Sequence, residues 1–327
     1  MCESRSRQGE GDKREHSGVR DELPQGLTPQ LRIALFVEED GGDWHARRLT
    51  KALEARGARV TTTTLKACAF DTRCASGMDI PGFDGQLPDA AFVRSISAGG
   101  LEQITLRLGI LHALQESGVR VWNNARAIER CVDKSTATFL FHKAGLPTPQ
   151  TRVVEGLDAA LDHARAEGGT LVVKPLFGSQ GNGIRRAVTA LELPSPDKIG
   201  HVYYMQTYLR DAKATEFEDW RVFVSTGRIL SAMTRKGKTW ITNVHQGAEP
   251  VRHEPDAEMA RLALAAVKAI GADYAGVDLI KSPDGQLMVL EINSNPAWKG
   301  LQSVTDVDIA STLAEDFLAS VAADGVR

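Results

Sequence analysis

The chain has 327 residues, 42% hydrophobic and 25% charged, with 39 basic against 42 acidic side chains and a net charge of -3. That length supports two or three packed units, and the near-neutral balance excludes the basic surface expected of a nucleic-acid or anionic-membrane binder. No apolar run reaches the ~18 residues of a membrane span, and the N-terminus lacks the basic-then-apolar pattern of a secretory leader, so a cytoplasmic protein is expected.

Residues 1–30 are dense in charge with scattered Gly, Ser, Gln and Pro and read as a disordered tail. Structure begins with the apolar strand in LRIALFVEED, followed by a helix that places Leu49, Ala52 and Leu53 on one face and stops near Gly57. The strands ARVTTTTL and DAAFVRS, the helix LEQITLRLGILHALQESG and the strand VRVWNN complete an alternation that predicts a parallel sheet covered by helices over 31–128. ERCVDKSTATFLFHKAG reads as one helix ending at Ala144-Gly145, before a Pro-x-Pro turn, a strand, the short helix LDAALDHARAEGG and the strand–loop–strand TLVVKPLFGSQGNGIRRAV. From Val202 strands dominate, interrupted by the helix DAEMARLALAAVKAIG and closing on two strands joined at Pro283-Asp284-Gly285. Four cysteines (Cys2, Cys68, Cys74, Cys131) show no zinc-ligand spacing and read as reduced thiols.

Three features carry chemistry. In KPLFGSQGNGI, Gly178, Gly181 and Gly183 suit either a tight turn or a loop whose backbone N–H groups approach an anion. Lys174 precedes these glycines and a strand follows them, which excludes both a phosphate-cradling Walker loop and a dinucleotide fingerprint. Glu291 and Asn293 lie two apart on a strand and share a face, and a hairpin partner can bring Asp278 beside them. Two carboxylates and an amide oxygen suit Mg²⁺; the alternative is a solvated polar face, against which stand the apolar neighbours Leu290 and Ile292. Lys134 alone reads as a solvated charge. Together with Lys174, the glycine loop and a metal site, it completes a parts list for holding a nucleoside triphosphate.

In their order along the chain, DKSTATFLFHKAGLPTP, VVKPLFGSQGNGI, QTYL, DWRVFV and GVDLI…VLEINSNP resemble the ATP-grasp superfamily, and within it the RimK-like amino-acid ligases, over about residues 31–325. LEQITLRLGILHALQESGVRVWNNARAIERCVDK and TWITNVHQGA further resemble the archaeal-type branch, which adds glutamate to coenzyme carboxylates such as tetrahydromethanopterin and the deazaflavin coenzyme.

The resemblance implies an α/β (α+β) ATP-grasp fold of three domains behind the 1–30 tail. These are an N-terminal parallel α/β domain at 31–128, a small central subdomain bearing the glycine lid at 129–204, and a C-terminal subdomain with the Mg²⁺ site at 205–327. It further implies ATP held by Lys134 and Lys174 at the α- and β-phosphates. Gly178, Ser179, Gln180, Gly181 and Gly183 would form the lid, the backbone of Gln206, Thr207, Tyr208 and Leu209 would meet adenine, and Asp219 would lie on the ribose side. Asp278, Glu291 and Asn293 match ligands to two Mg²⁺ ions, for which Mn²⁺ can substitute, with Glu291 bridging. Arg221 and Arg235 match cations near the transferring phosphoryl group, and Asn243 joins them on the acceptor side.

Departures from the family pattern bear on the substrate. Thr207 stands where the family often has Glu, and Ile241 where ribosomal-protein-modifying members carry arginine. Gly276 stands where D-alanine ligases place an oxyanion-binding arginine. The implied reaction is ATP-dependent amide formation through an acyl phosphate, between the carboxylate of a small coenzyme and L-glutamate. The rival readings are a ligase acting on a protein or peptide carboxylate and a nucleotide-binding protein without catalysis. Arg94 reads as a carboxylate contact or a structural strand-end charge, and Trp240 and Trp298 as aromatic walls or core. No histidine, His245 and His253 included, has a required role. No nucleic-acid or membrane partner is expected, and a homo-oligomer is compatible with the sequence.

Overall fold

Residues 30–39, 42–178, 181–210 and 214–324 are described by a computed structural model; the expected tail, apart from Gln30, lies outside them. The first sheet contains β1 (Arg32–Val37), β2 (Arg59–Thr64), β5 (Ala90–Val93) and β6 (Arg120–Trp122) in the order β2-β1-β5-β6, all parallel, as the strand–helix alternation predicts. Between β2 and β5 the chain makes a small antiparallel ribbon, β3 (Ala69–Phe70) with β4 (Met78–Asp79), which the sequence reading missed. Alternate residues of β1 point to opposite faces. Ile33 and Leu35 pack with Leu49 and Leu53 of α1 (Trp44–Glu54), whereas Ala34 and Phe36 pack with Ile110, Leu111 and Leu114 of α2 (Leu101–Glu116).

The single helix expected through ERCVDKSTATFLFHKAG is two helices, α3 (Ala125–Val132) and α4 (Lys134–Lys143). Asp133 breaks them: its backbone is extended at ψ 99°, and its Oδ1 accepts from the backbone N–H groups of Ser135 and Thr136 at 2.9 and 3.2 Å. An aspartate followed by Ser and Thr competes with continued helix in this way, by capping a new one. The break sets Lys134 at the first position of α4.

The second sheet has the order β7-β10-β8-β9, from β7 (Thr151–Glu155), β8 (Leu171–Lys174), β9 (Arg185–Ala187) and β10 (Val202–Thr207), with α5 (Leu157–Glu167) against it. β8 and β9 form the antiparallel pair expected around the glycine loop. The third sheet is antiparallel throughout, in the order β13-β12-β11-β14-β15. Its strands are β11 (Phe217–Ser225), β12 (Arg228–Gly237), β13 (Glu249–His253), β14 (Tyr274–Lys281) and β15 (Leu287–Asn293). One face is apolar: Trp220, Val222, Val224, Val277, Leu279 and Ile292 pack with Leu262, Ala263 and Ala266 of α6 (Ala257–Ile270). The opposite face carries Asp219, Arg221, Arg235, Asp278 and Glu291, placed side by side by the register Asp219↔Arg235, Arg221↔Asp278 and Asp278↔Glu291.

Packing crosses chain order at two helices. Phe141 of α4 joins the core of the third sheet and α6. After the short α7 (Lys299–Gln302), α8 (Ile309–Asp324) returns to the first sheet, where Leu313 and Phe317 join the core of β1 and α1. Asn123 fastens the first sheet to the third with four bonds. Its Nδ2 donates to the carbonyls of Tyr274 and Ser294, both at 2.7 Å, and its Oδ1 accepts from the N–H groups of Asp273 and Tyr274 at 2.6 and 3.1 Å.

Candidate active site

One cleft is lined from two sheets: Val172, Lys174 and Gln206 come from the second, Asp219, Arg235, Asp278 and Glu291 from the third. Gly181 and Ile184 close it from the glycine loop, and Trp240, Ile241 and Asn243 from the segment after β12. Lys174, expected at the phosphates, is buried at the end of β8, where its ammonium donates to Gln206 Oε1 at 2.7 Å. Burial pulls it down to about 8, partly opposed by the charge of Glu291. Burial likewise lowers Lys134, whose Nζ donates to the carbonyls of Leu176 and Gly178 at 3.3 and 2.9 Å. Both lysines line the adjoining pocket with Glu291 and Asn293. Two cations from separate helix and strand thus meet the carboxylate face, as their spacing in sequence alone could not show.

The glycines of the loop between β8 and β9 have steric reasons. Gly181 and Gly183 both have φ of +74°, a region that side-chain-bearing residues rarely adopt. A Cβ on Gly181 would lie 2.9 Å from Ile241 Cγ2, and one on Gly183 would lie 2.8 Å from Pro175 Cγ. Ser179 and Gln180, also expected in the lid, lie outside the described residues.

Gln206 does more than its expected backbone role. Its amide accepts from Lys174 and donates to Thr151 Oγ1 and Tyr204 OH at 3.0 and 2.8 Å, fixing the lysine's direction. In the hinge, the N–H groups of Thr207 and Tyr208 are bonded to the carbonyls of Gln150 and Thr170 at 2.9 and 3.0 Å. In this conformation those two N–H groups are therefore already bonded within the protein, while Gln206, Thr207, Tyr208 and Leu209 all line the cleft.

The charged face is a network. Arg221 donates from Nε and Nη2 to the two oxygens of Asp278, both at 2.7 Å. Arg235 does the same to Asp219 at 2.6 and 2.8 Å and reaches Asp278 Oδ2 at 3.0 Å. Thr242 Oγ1 adds a 2.5 Å bond to Asp219. Burial would raise Asp278, but Arg221 and Arg235 outweigh it and hold the carboxyl below its ordinary value. Burial pushes Asp219 up against the pull of Arg235. For Arg235 burial acts downward, yet Asp278 and Asp219 prevail and raise it. Such two-pronged, charge-assisted bonds favour the charged form of Asp278, whereas at Asp219 burial outweighs them. Asp219, expected beside a ribose, has its oxygens engaged by Arg235 and Thr242. Asn293 Nδ2 donates to Glu291 Oε1 at 3.3 Å, and Asp278 lies opposite Glu291 on the neighbouring strand.

Pro296 explains Gly276: a Cβ there would lie 2.9 Å from Pro296 Cβ, too close without a shift, whereas Arg221 Cδ at 3.5 Å would be in ordinary contact. Trp298 is fully buried core, while Trp240 lines the cleft and meets Tyr208 edge-on at 5.8 Å. His253 faces Thr234 Oγ1 and Met259 Sδ, away from the cleft, whereas His245 is exposed at the rim of a third cleft. Sequence reasoning missed Thr242 and the apolar walls Ile184, Ile280 and Leu290. A threonine two residues before a glycine-poor loop carries no signal of its own; only the fold brings it to Asp219.

A cleft between two sheets, with two lysines, a glycine loop and a carboxylate–arginine face, fits an ATP-grasp ligase, an ADP-forming enzyme that joins a carboxylate to an amine. The comparisons agree. Residues 131–317 match the RimK-like ATP-grasp domain, and the chain belongs to that family. It is 37% identical over 234 residues to the tetrahydromethanopterin:alpha-L-glutamate ligase of Methanococcus maripaludis, covering 70% of this chain and 78% of that one. The ligase of the same description from Methanosarcina acetivorans is 27% identical over 314 residues, covering 84% and 95%. Among solved structures, the ATP-grasp ligase PsnB with minimal precursor, Mg and ADP superposes with a TM-score of 0.66 at 21% identity, over 89% of this chain and 98% of that one. Among the described residues, no helix is long and apolar enough to cross a membrane.

Proposed function

We propose that the protein joins L-glutamate to the carboxylate of a small coenzyme, of which tetrahydromethanopterin is the model, with ATP becoming ADP and phosphate. The observation that supports this reading is the cleft shared by the second and third sheets, where Lys174, Arg235, Asp278 and Glu291 converge. The relatives named for that activity supply the substrate. The three sheets then act as three units, with ATP between the second and third and the loop around Gly181 as lid.

The residues divide the chemistry. A carboxylate is a poor electrophile at neutral pH, and transfer of the γ-phosphoryl group gives it a phosphate leaving group. Such a transfer depends on positioning and charge neutralisation, which Lys134, Lys174, Arg221 and Arg235 provide. Asp278, Glu291 and Asn293 would hold Mg²⁺ through hard oxygen donors, two ions in this reading, for which Mn²⁺ would substitute. Bound there, the metal would neutralise the phosphate charge. The glutamate amine, once deprotonated, attacks the acyl carbon, forming the amide bond as the carbon–phosphate-oxygen bond breaks. The lid over Gly181 excludes water from the acyl phosphate meanwhile. Coenzyme labelled with heavy oxygen in its carboxylate tests this order: one label should appear in the released phosphate, and unlabelled phosphate would refute it.

A further inference from the structure

The first sheet has a topological switch point that the ATP chemistry does not use. The chain leaves β1 through α1 toward β2 and leaves β5 through α2 toward β6, and the two helices cover opposite faces. A crevice therefore opens beyond the carboxyl ends of β1 and β5, the place where open parallel sheets bind ligands. It forms one end of a cleft of about 850 Å³ that runs to Arg221, Arg235 and Glu291.

At that end lies Arg94, the first residue after β5, which is only 5% exposed. Its guanidinium stands 5.0 Å over the Trp298 ring, and its Nη1 donates to the carbonyl of Asn295 at 3.1 Å. Its Nη2 comes no closer than 3.6 Å to Asp43, and its buried Nε has no partner among the described residues. A buried guanidinium with an unfilled donor is destabilising unless a ligand completes it. Asp43 offsets the charge of Arg94 from 3.6 Å without hydrogen-bonding it, its Oδ1 capping α1 at Ala46 N–H and its Oδ2 accepting from His45 Nδ1 at 2.6 Å. Across the same crevice, Glu38 and Glu39 are exposed, and among the described residues their carboxylates pair with nothing. The cations nearer the phosphoryl site are by contrast committed, Arg221 to Asp278 and Arg235 to Asp219 and Asp278.

We infer that this crevice seats the free amino acid: Arg94 takes its α-carboxylate, and Glu38 and Glu39 face its ammonium. A fixed cation and free carboxylates in one crevice match a zwitterion. A coenzyme carboxylate awaiting phosphorylation belongs instead at the arginine end. This assignment rests on the ligase reading of the previous section.

The test is calorimetric titration of the full-length protein, saturated with Mg·ADP, with L-glutamate and with glutarate, which lacks the amino group. Wild-type protein should prefer glutamate. Arg94→Gln should weaken glutamate at least tenfold while leaving Mg·ADP affinity unchanged. The double variant Glu38→Gln/Glu39→Gln, at exposed positions that the fold does not need, should lose the preference for glutamate over glutarate. Unchanged glutamate affinity in Arg94→Gln would overturn the assignment, as would equal loss of Mg·ADP and glutamate, which marks a structural role. Preference retained in the double variant would also overturn it, as would Mg·ADP binding without any glutamate binding. Failure of the wild type to bind Mg·ADP would instead remove the ligase reading itself.

Discussion

Arg221 and Asp278 face each other across two antiparallel strands and share two hydrogen bonds of 2.7 Å, with Asp278 almost wholly buried. Arg235 bonds the same carboxylate at 3.0 Å, so one buried anion is held by two cations. Removing the charge of Asp278 leaves Arg221 without its carboxylate and Arg235 with Asp219 alone. Asp278→Asn should therefore lower the free energy of unfolding by roughly 3–5 kcal/mol, the usual penalty for breaking a buried pair. Urea unfolding measures it, and a loss below about 1 kcal/mol, the range of surface pairs, would mean that the network is not structural.

Glu291 should behave differently. It is half-buried and, among the described residues, has no arginine at bonding distance, its side chain accepting from Asn293 at 3.3 Å. Glu291→Gln keeps the shape and removes a charge proposed to hold Mg²⁺. Unfolding should be nearly unchanged while turnover falls by about a hundredfold or more. Near-normal ADP formation by this variant would disprove the metal assignment.

The lid predicts uncoupling. Alanine at Gly181 must adopt a φ of +74° and push Ile241 aside; at Gly183 it must displace Pro175. Either substitution should raise the KM for ATP and let water reach the acyl phosphate, so that more ADP than amide is formed. If both variants remain fully coupled with an unchanged KM, the loop is an ordinary turn.

Lys174 gives a pH dependence with a defined sign. Its burial pulls the free protein's value down to about 8. Below that value the ammonium is charged before nucleotide arrives. Above it the free amine is neutral, and binding phosphate requires uptake of a proton. Affinity for ADP should therefore fall as pH rises above about 8, by up to about tenfold per unit until the bound-state value is reached. Titrations just above that value, in buffers of different ionisation enthalpy, should report proton uptake. Lys174→Arg, charged throughout, should not show it. Equal heats in all buffers for the wild type would contradict the assignment.

Much of this was legible in the sequence where local periodicity decides the outcome. Alternation along GVDLI and VLEIN, with a turn at Pro283-Asp284-Gly285, was enough to bring Asp278 opposite Glu291, although the register shifts just beyond that pair. Strand–helix alternation likewise specified a parallel first sheet. Legibility ended where partners are distant in the chain. An apolar face on α8 does not say which sheet it covers. The bond from Trp298 N–H to His45 Nε2 joins residues 253 apart. The engagement of Asp219 by Arg235 depends on strand register, which a motif match cannot supply. The break at Asp133 was locally encoded by the Ser and Thr that follow it, and the longer helical pattern around it hid the signal.

The central claim is the pairing of glutamate with a small coenzyme, and product analysis tests it most directly. Purified protein would be incubated with Mg·ATP, tetrahydromethanopterin and L-glutamate, and ADP and the conjugate quantified by chromatography and mass spectrometry. One ADP per amide is predicted, with no conjugate when either substrate is omitted, and aspartate and alanine should be poor replacements for glutamate. Equal conjugation of an uncharged amino acid, or glutamate added to a protein C-terminus in place of the coenzyme, would contradict it.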